Sequence, residues 1–223
     1  MNGEVAGLIL AGGSGTRLGL GPKGFLDLGG TSLIKRVINT LNTCVSKIRV
    51  GVPVKYLEQV KKEYGNLVEV YPGGDSRQST VYSLFQHCNE QLILIHDVSR
   101  PFASRRLVRE VIEKARSCGA AAAFINTPIP IGYHQDGFIT SAIPRTQVLL
   151  PQVPQAFHSD ILKQAYDYAL KHNIVDQTTW QLVLRLGVKI KVVEGEERNI
   201  KITTPFDWEI ARKVIAPKMN NTD

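Results

Sequence analysis

The chain reads as an α/β protein built on one doubly wound, mostly parallel sheet with a projecting β-arm. Three observations predict this. Several short apolar runs bounded by turn residues lack polar–apolar alternation, so their sheet is covered on both faces. Amphipathic stretches of helical period alternate with those runs, which calls for right-handed crossovers. The first apolar run also ends directly in a glycine-rich segment, at the place where open α/β sheets bind their ligands.

Taken in order, the expected strands are Val5–Leu10, Ile48–Val52, Val68–Tyr71, Leu92–Ile95, Ala120–Ile125 and Val188–Val193. The expected helices are Thr31–Leu41, Lys55–Tyr64, Arg77–His87, Ser104–Ser117 and Ser159–His172. Ser104 and Ser159 precede apolar-periodic runs and are read as N-caps. The rhythm breaks between Thr127 and Ala156, where Pro128, Pro130, Pro144, Pro151 and Pro154 exclude a helix. Alternating segments around Asp136-Gly137 predict a hairpin arm over about residues 128–156, in a single domain of 1–223. Such an arm suits an oligomer contact. The polar tail Asn220–Asp223 is expected to fray.

Composition narrows the class. The 223 residues fit one large domain. No run of eighteen apolar residues exists, which excludes an α-helical membrane span, and Met1-Asn2-Gly3-Glu4 has no basic n-region of a secretory signal. Cys44, Cys88 and Cys118 lie far apart with no CxxC, so reduced thiols in a cytosol are expected rather than disulfides or a zinc site, each thiol in or near the core. The net charge of +7 points to anionic partners. The basic residues are dispersed rather than gathered in a tract, the densest spots being Arg105-Arg106 with Arg109 and Lys61-Lys62, so small phosphorylated ligands account for the surplus as well as RNA would.

The glycine-rich segment runs Ala11-Gly12-Gly13-Ser14-Gly15-Thr16-Arg17-Leu18-Gly19-Leu20-Gly21-Pro22-Lys23. Glycines after a first strand let backbone N–H groups approach phosphate oxygens without a Cβ in the way. A dinucleotide fingerprint fails here, because Gly19 falls one place late and no acid ends the second strand. A P-loop fails too, because Lys23 is flanked by Pro22 and Gly24. What remains is the nucleotidyltransferase signature, G-G-x-G-T-R-[LM] followed by P-K, which the segment meets throughout.

Gly73–Val81 opens a helix after the third strand, Ile95–Phe102 ends the fourth, and Asn199–Asp207 lies near the C-terminus. With the first segment these resemble, in one collinear order over nearly the whole chain, the cytidylyltransferases that act on polyol phosphates. That group includes enzymes for 2-C-methyl-D-erythritol 4-phosphate, in non-mevalonate isoprenoid biosynthesis, and for D-ribitol 5-phosphate. The resemblance implies a Rossmann-like nucleotidyltransferase fold and a cytoplasmic homodimer joined through the arm. It implies transfer of CMP from CTP to a small phosphorylated acceptor, 2-C-methyl-D-erythritol 4-phosphate being favoured, with Mg²⁺ as cofactor and neither nucleic acid nor membrane as partner. Ala11, Gly12 and Gly13 would line the nucleotide site and Arg17 and Lys23 would grip the triphosphate. Gly74 and Asp75 would face the cytosine, with Arg77 and Thr80 supporting their loop. Asp97 would hold the metal; Arg100, Arg145 (reaching across the dimer) and Lys201 would serve the acceptor, and Arg17, Lys23, Arg145 and Lys201 the catalysis. His96 beside Asp97 is read as a structural imidazole, and Asp207 after Pro205 as a helix-start residue.

Departures from the family pattern gather on the acceptor side. P-K-Q is Pro22-Lys23-Gly24, an Asp-Thr pair is Ile131-Gly132, T-P-Q is Val153-Pro154-Gln155, and T-D-E is Val175-Asp176-Gln177. Ribitol 5-phosphate or another phosphorylated acceptor therefore stays open, as does a nucleotide-binding regulator without turnover.

Overall fold

The computed structural model describes residues 4–13, 15 and 18–216. Its sheet has seven strands in the order β3-β2-β1-β4-β8-β5-β9: β1 Val5–Leu10, β2 Lys47–Val52, β3 Glu69–Pro72, β4 Leu92–Asp97, β5 Ala120–Asn126, β8 Leu149–His158 and β9 Lys191–Glu194. β1 pairs in parallel with both β2 and β4, β2 with β3, and β5 with β9. The mostly parallel α/β sheet read from the sequence is therefore the observed one. The chain winds outward from β1 through β2 to β3, then returns to place β4 on the other side of β1. This reversal is the switch point at which open sheets leave a crevice beyond their carboxyl ends.

Helices cover both faces. On one side α1 (Leu33–Leu41), α2 (Leu57–Tyr64) and α4 (Arg105–Cys118) bury Leu33, Ile38, Val60, Leu107 and Val111 against the sheet. On the other, α3 (Arg77–Phe85), α5 (Ser159–Lys171) and α6 (Thr179–Arg185) bury Leu84, Leu162, Tyr166 and Leu182. Burial on both faces is why the strands read as unbroken apolar runs. Ser104 caps α4 by accepting the Leu107 N–H at 3.0 Å. Ser159 does not act as the expected cap: β8 runs through His158, the Ser159 N–H donates to the Gln91 carbonyl, and the helix starts directly off the strand. α6 lies outside the expected elements, being short and preceded by a polar loop; Thr178 and Gln181 close a capping box at its start. α7 (Pro205–Ile210) starts as expected, with Asp207 and Thr204 forming its capping box. Cys44 and Cys88 are half-buried, but Cys118 is exposed at the end of α4, so the core expectation fails there; all three are free thiols.

The proline-rich stretch divides in two. β6 (Ile131–Gln135) and β7 (Phe138–Ile143) form a separate two-stranded sheet, turned by Asp136 and Gly137 at φ of 51° and 86°. The rest of the stretch becomes β8, which enters the main sheet antiparallel between β4 and β5. Prolines argue against a central strand. The structure accommodates Pro154 because the β5–β8 register slips between Ala122 and Phe124, and the β4–β8 ladder begins at Gln155, so no ladder bond is asked of its nitrogen.

Candidate active site

The β1–β4 register sets Leu10 beside Asp97, so the glycine-rich segment leaves the sheet next to a strand-end carboxylate. Val98 N–H donates to Leu10 O at 3.0 Å and Ala11 N–H to Gly51 O at 2.9 Å, fixing the departing chain. Gly15 has φ +71°, and a Cβ there would strike the backbone carbonyl of Gly21. Its own carbonyl accepts from Leu18 and Gly19, at 2.9 and 3.0 Å, which folds the loop back toward Lys23. Lys23 is buried, and its Nζ donates to Ile202 O at 2.9 Å.

The second wall is the turn into α3. Thr80 Oγ1 accepts the Gly74 N–H at 3.1 Å and reaches Ser76 O at 2.8 Å, while Ser76 and Ser79 form the capping box of α3. A Cβ on Gly74 would collide with Ser79, so the turn requires glycine. Asp75 follows, exposed.

Asp97 sits between these walls. Arg77 Nε donates to its Oδ1 at 3.2 Å, and Lys201 Nζ lies 3.6 Å from its Oδ2. Burial alone would raise this carboxyl, but the charges of Arg77 and Lys201 outweigh it and hold Asp97 below the usual carboxylate range. Lys201 is carried by a loop laid across the end of β4, where Ile202 N–H donates to Ser99 O at 2.8 Å. Buried Asn199 locks that loop by donating to Gln152 Oε1 at 3.1 Å and Val153 O at 2.7 Å. His96 is buried under the site and neutral: burial pushes it down to about 4, its Nε2 donates to Arg100 O at 2.9 Å, and Nδ1 has no hydrogen-bond partner among the described residues.

Together these elements enclose a crevice of about 370 Å³, lined by Gly12, Gly13, Lys23, Gly74, Asp75, Ser76, Arg77, Thr80, Asp97, Ser99 and Lys201, with Leu10 and Val98. Ala11 is buried behind the glycines. Arg100 is placed elsewhere, its guanidinium donating to Asn199 O at 2.6 Å and Pro151 O at 3.0 Å. Arg145 is exposed on the turn between β7 and β8. On the hairpin itself, Gly132 is exposed and Ile131 half-buried. Arg17 lies outside the described residues. The sequence reasoning missed Ser76, Ser99 and Thr179. The Ser76-x-x-Ser79 cap pattern could have found the first and adjacency to Asp97 the second, whereas Thr179 reaches Arg77 only through the tertiary fold.

Glycines and two lysines gathered around a carboxylate at the switch point of a doubly wound sheet have the make-up of a nucleotidyltransferase site. The comparisons agree. The family model for 2-C-methyl-D-erythritol 4-phosphate cytidylyltransferase, IspD, matches residues 5–216. The enzyme of that name from Thermus thermophilus is 35% identical over 208 residues, covering 93% of this chain and 95% of the relative. That of Geobacillus kaustophilus is 31% identical over 221 residues, covering 95% and 97%. The crystal structure of the Thermus thermophilus enzyme superposes with a TM-score of 0.84 at 32% identity, over 96% of this chain and 99% of that one. The chain belongs to the 2-C-methyl-D-erythritol 4-phosphate cytidylyltransferase family, and is a CTP-dependent nucleotidyltransferase.

Proposed function

We propose that this chain transfers CMP from CTP to 2-C-methyl-D-erythritol 4-phosphate and releases pyrophosphate. The observation that carries this reading is the convergence of Lys23, Arg77 and Lys201 with Asp97 on one glycine-floored crevice in a chain matched almost end to end by that family. An oxygen of the acceptor's phosphate attacks the α-phosphorus of CTP in line. The new P–O bond forms as the bond to the β-phosphate breaks, and the electron pair leaves with pyrophosphate. A phosphate monoester is already ionised at neutral pH, its second pKa being about 6. No general base is needed, which suits the buried, neutral His96. Catalysis then consists of positioning and of stabilising negative charge at the reacting phosphate.

Gly12 and Gly13 offer amides to the triphosphate, with Arg17 and Lys23 as its cations. Gly74 and Asp75, on the turn held by Thr80, face the cytosine. Lys201, half-exposed, is free to swing from Asp97 toward a phosphate. Arg100 is assigned to the acceptor's side through the loop and strand it joins, Asn199 and Pro151.

Among the described residues there is no cluster of three metal-ligating side chains. Mg²⁺ rarely needs one: it is commonly held by one or two carboxylates and by substrate phosphates. Asp97, ionised and at the crevice, fits that donor set. When bound, the ion would neutralise phosphate charge.

The arm supports a homodimer. Tyr133, Phe138 and Ile139 expose apolar surface on the hairpin; in such a dimer the exposed Arg145 at its base would serve a second copy's site. No described helix is long and apolar enough to cross a membrane. A cytoplasmic setting is supported by the free cysteines.

The test is pyrophosphate release from CTP with a panel of polyol phosphates. Release with 2-C-methyl-D-erythritol 4-phosphate and not with ribitol 5-phosphate is expected. Turnover with ribitol 5-phosphate alone, or none despite CTP binding, would overturn the reading. ATP, UTP and GTP in place of CTP test the role of Asp75.

A further inference from the structure

Arg77 and Asp97 do not form the parallel fork that arginine and carboxylate usually make, in which two N–H groups meet two oxygens. Both nearby nitrogens address one oxygen. Nε donates to Oδ1 at 3.2 Å, and Nη2 lies 3.1 Å from the same Oδ1 as an ion pair without the alignment of a hydrogen bond. Oδ2 is left to Lys201. The third nitrogen explains the rotation: Nη1 donates to Thr179 Oγ1 at 3.3 Å.

Thr179 is well placed to impose this. It is buried, at the first position of α6, does not itself line the crevice, and meets Arg77, which does. The start of α3 and the loop before α6 are stapled independently. Gln78 Nε2 donates to Ile174 O and the Asp176 N–H donates to Gln78 Oε1, each at 2.8 Å. Buried Tyr166 adds a third tie, donating to the Gln78 carbonyl at 3.3 Å. The Thr179 oxygen is therefore a fixed point relative to Arg77.

We propose that Thr179 is a positioning residue that holds Arg77 rotated onto Oδ1 of Asp97, so that Oδ2 stays turned toward Lys201 and the crevice. Without the hydroxyl, the guanidinium is free to turn into the parallel fork and cover both oxygens. The kinetic consequence rests on the cytidylyltransferase reading; the geometry does not.

The decisive variants are Thr179→Val, which keeps the shape and removes the hydroxyl, and Thr179→Ser, which restores it. A crystal structure of Thr179→Val, independent of turnover, should show Arg77 spanning both Asp97 oxygens with Lys201 displaced. Its kcat should fall about tenfold, in the range typical of groups that orient a functional side chain. KM for CTP should stay within about twofold, since the triphosphate amides are untouched. Thr179→Ser should recover the loss, and in an Arg77→Lys background Thr179→Val should have no further effect. Arg77 remaining on Oδ1 alone in Thr179→Val, an unchanged kcat, or a Thr179→Ser enzyme as slow as Thr179→Val would each overturn the inference. If the wild-type chain releases no pyrophosphate, the proposed function fails instead, and the crystal structure alone decides the role of Thr179.

Discussion

The crevice beyond β1 and β4 and the hairpin of β6 and β7 are built on opposite terms. In the crevice, charge is answered inside the chain: Asp97 has Arg77 and Lys201, Lys23 has the Ile202 carbonyl, and Thr80 ties the Gly74 turn. On the hairpin, Tyr133, Phe138 and Ile139 are 59%, 74% and 71% exposed, and Arg145 stands in solvent. A surface of that kind is stabilised by a covering partner. The difference teaches that one copy of the chain encloses its crevice by itself; we propose that this is the triphosphate half of the site and that the acceptor half is completed by a second copy.

The largest expected effect probes the self-contained half. Lys201→Ala and Lys23→Ala should each lower turnover on the order of a hundred- to a thousandfold, as when a group that stabilises transition-state charge is removed. Circular dichroism should remain native; near-normal rates at saturating CTP would remove either lysine from the chemistry.

Arg145→Ala sharpens the other side. Loss of about a hundredfold in turnover is expected, with CTP affinity unchanged by isothermal calorimetry. Mixing inactive Arg145→Ala and Lys201→Ala chains should restore activity, because a mixed dimer carries one site with both residues intact. Failure to complement would place Arg145 in its own chain's site, or out of catalysis.

His96 tests whether the crevice floor is dry. Its folded value of about 4 lies below the ordinary 6.5, so the unfolded chain binds the extra proton between those limits. This contribution is fully present above about pH 6.5 and is lost as pH falls toward 4, up to about 3 kcal/mol. Urea midpoints should fall across that window more steeply in the wild type than in His96→Gln. Equal slopes would mean that His96 is hydrated.

The smallest effect concerns the hairpin surface. Phe138→Ala should weaken self-association by about 1.5–3 kcal/mol, the worth of one buried aromatic side chain, without altering monomer stability. Sedimentation velocity measures it; an unchanged dimer, or a wild-type monomer, would leave the hairpin exposed for another reason.

Legibility in the sequence followed the range of the interaction. Ala11, Gly12, Gly13 and Lys23 could be read because a glycine loop after a first strand is a local pattern with local causes, and Gly74 with Asp75 through the resemblance that Gly73–Val81 carries. Ser104 was legible as a cap and Ser159 was not, since only the sheet decides that β8 runs straight into α5. β8 itself was hidden: its prolines speak for an arm, and only the slipped register opposite Ala122–Phe124 shows how a central strand carries Pro154.

By itself, then, the sequence determined the mostly parallel α/β sheet, the glycine-floored crevice and the family, because unbroken apolar runs and glycine spacing express physics that acts within a few residues. Tertiary structure alone decided that β8 enters the sheet antiparallel. It alone tied Arg100 to two backbone carbonyls, and brought Thr179, 102 residues away in sequence, onto Arg77. Those outcomes depend on which distant groups a folded chain leaves unpaired, and a buried polar group takes whichever partner the packing supplies.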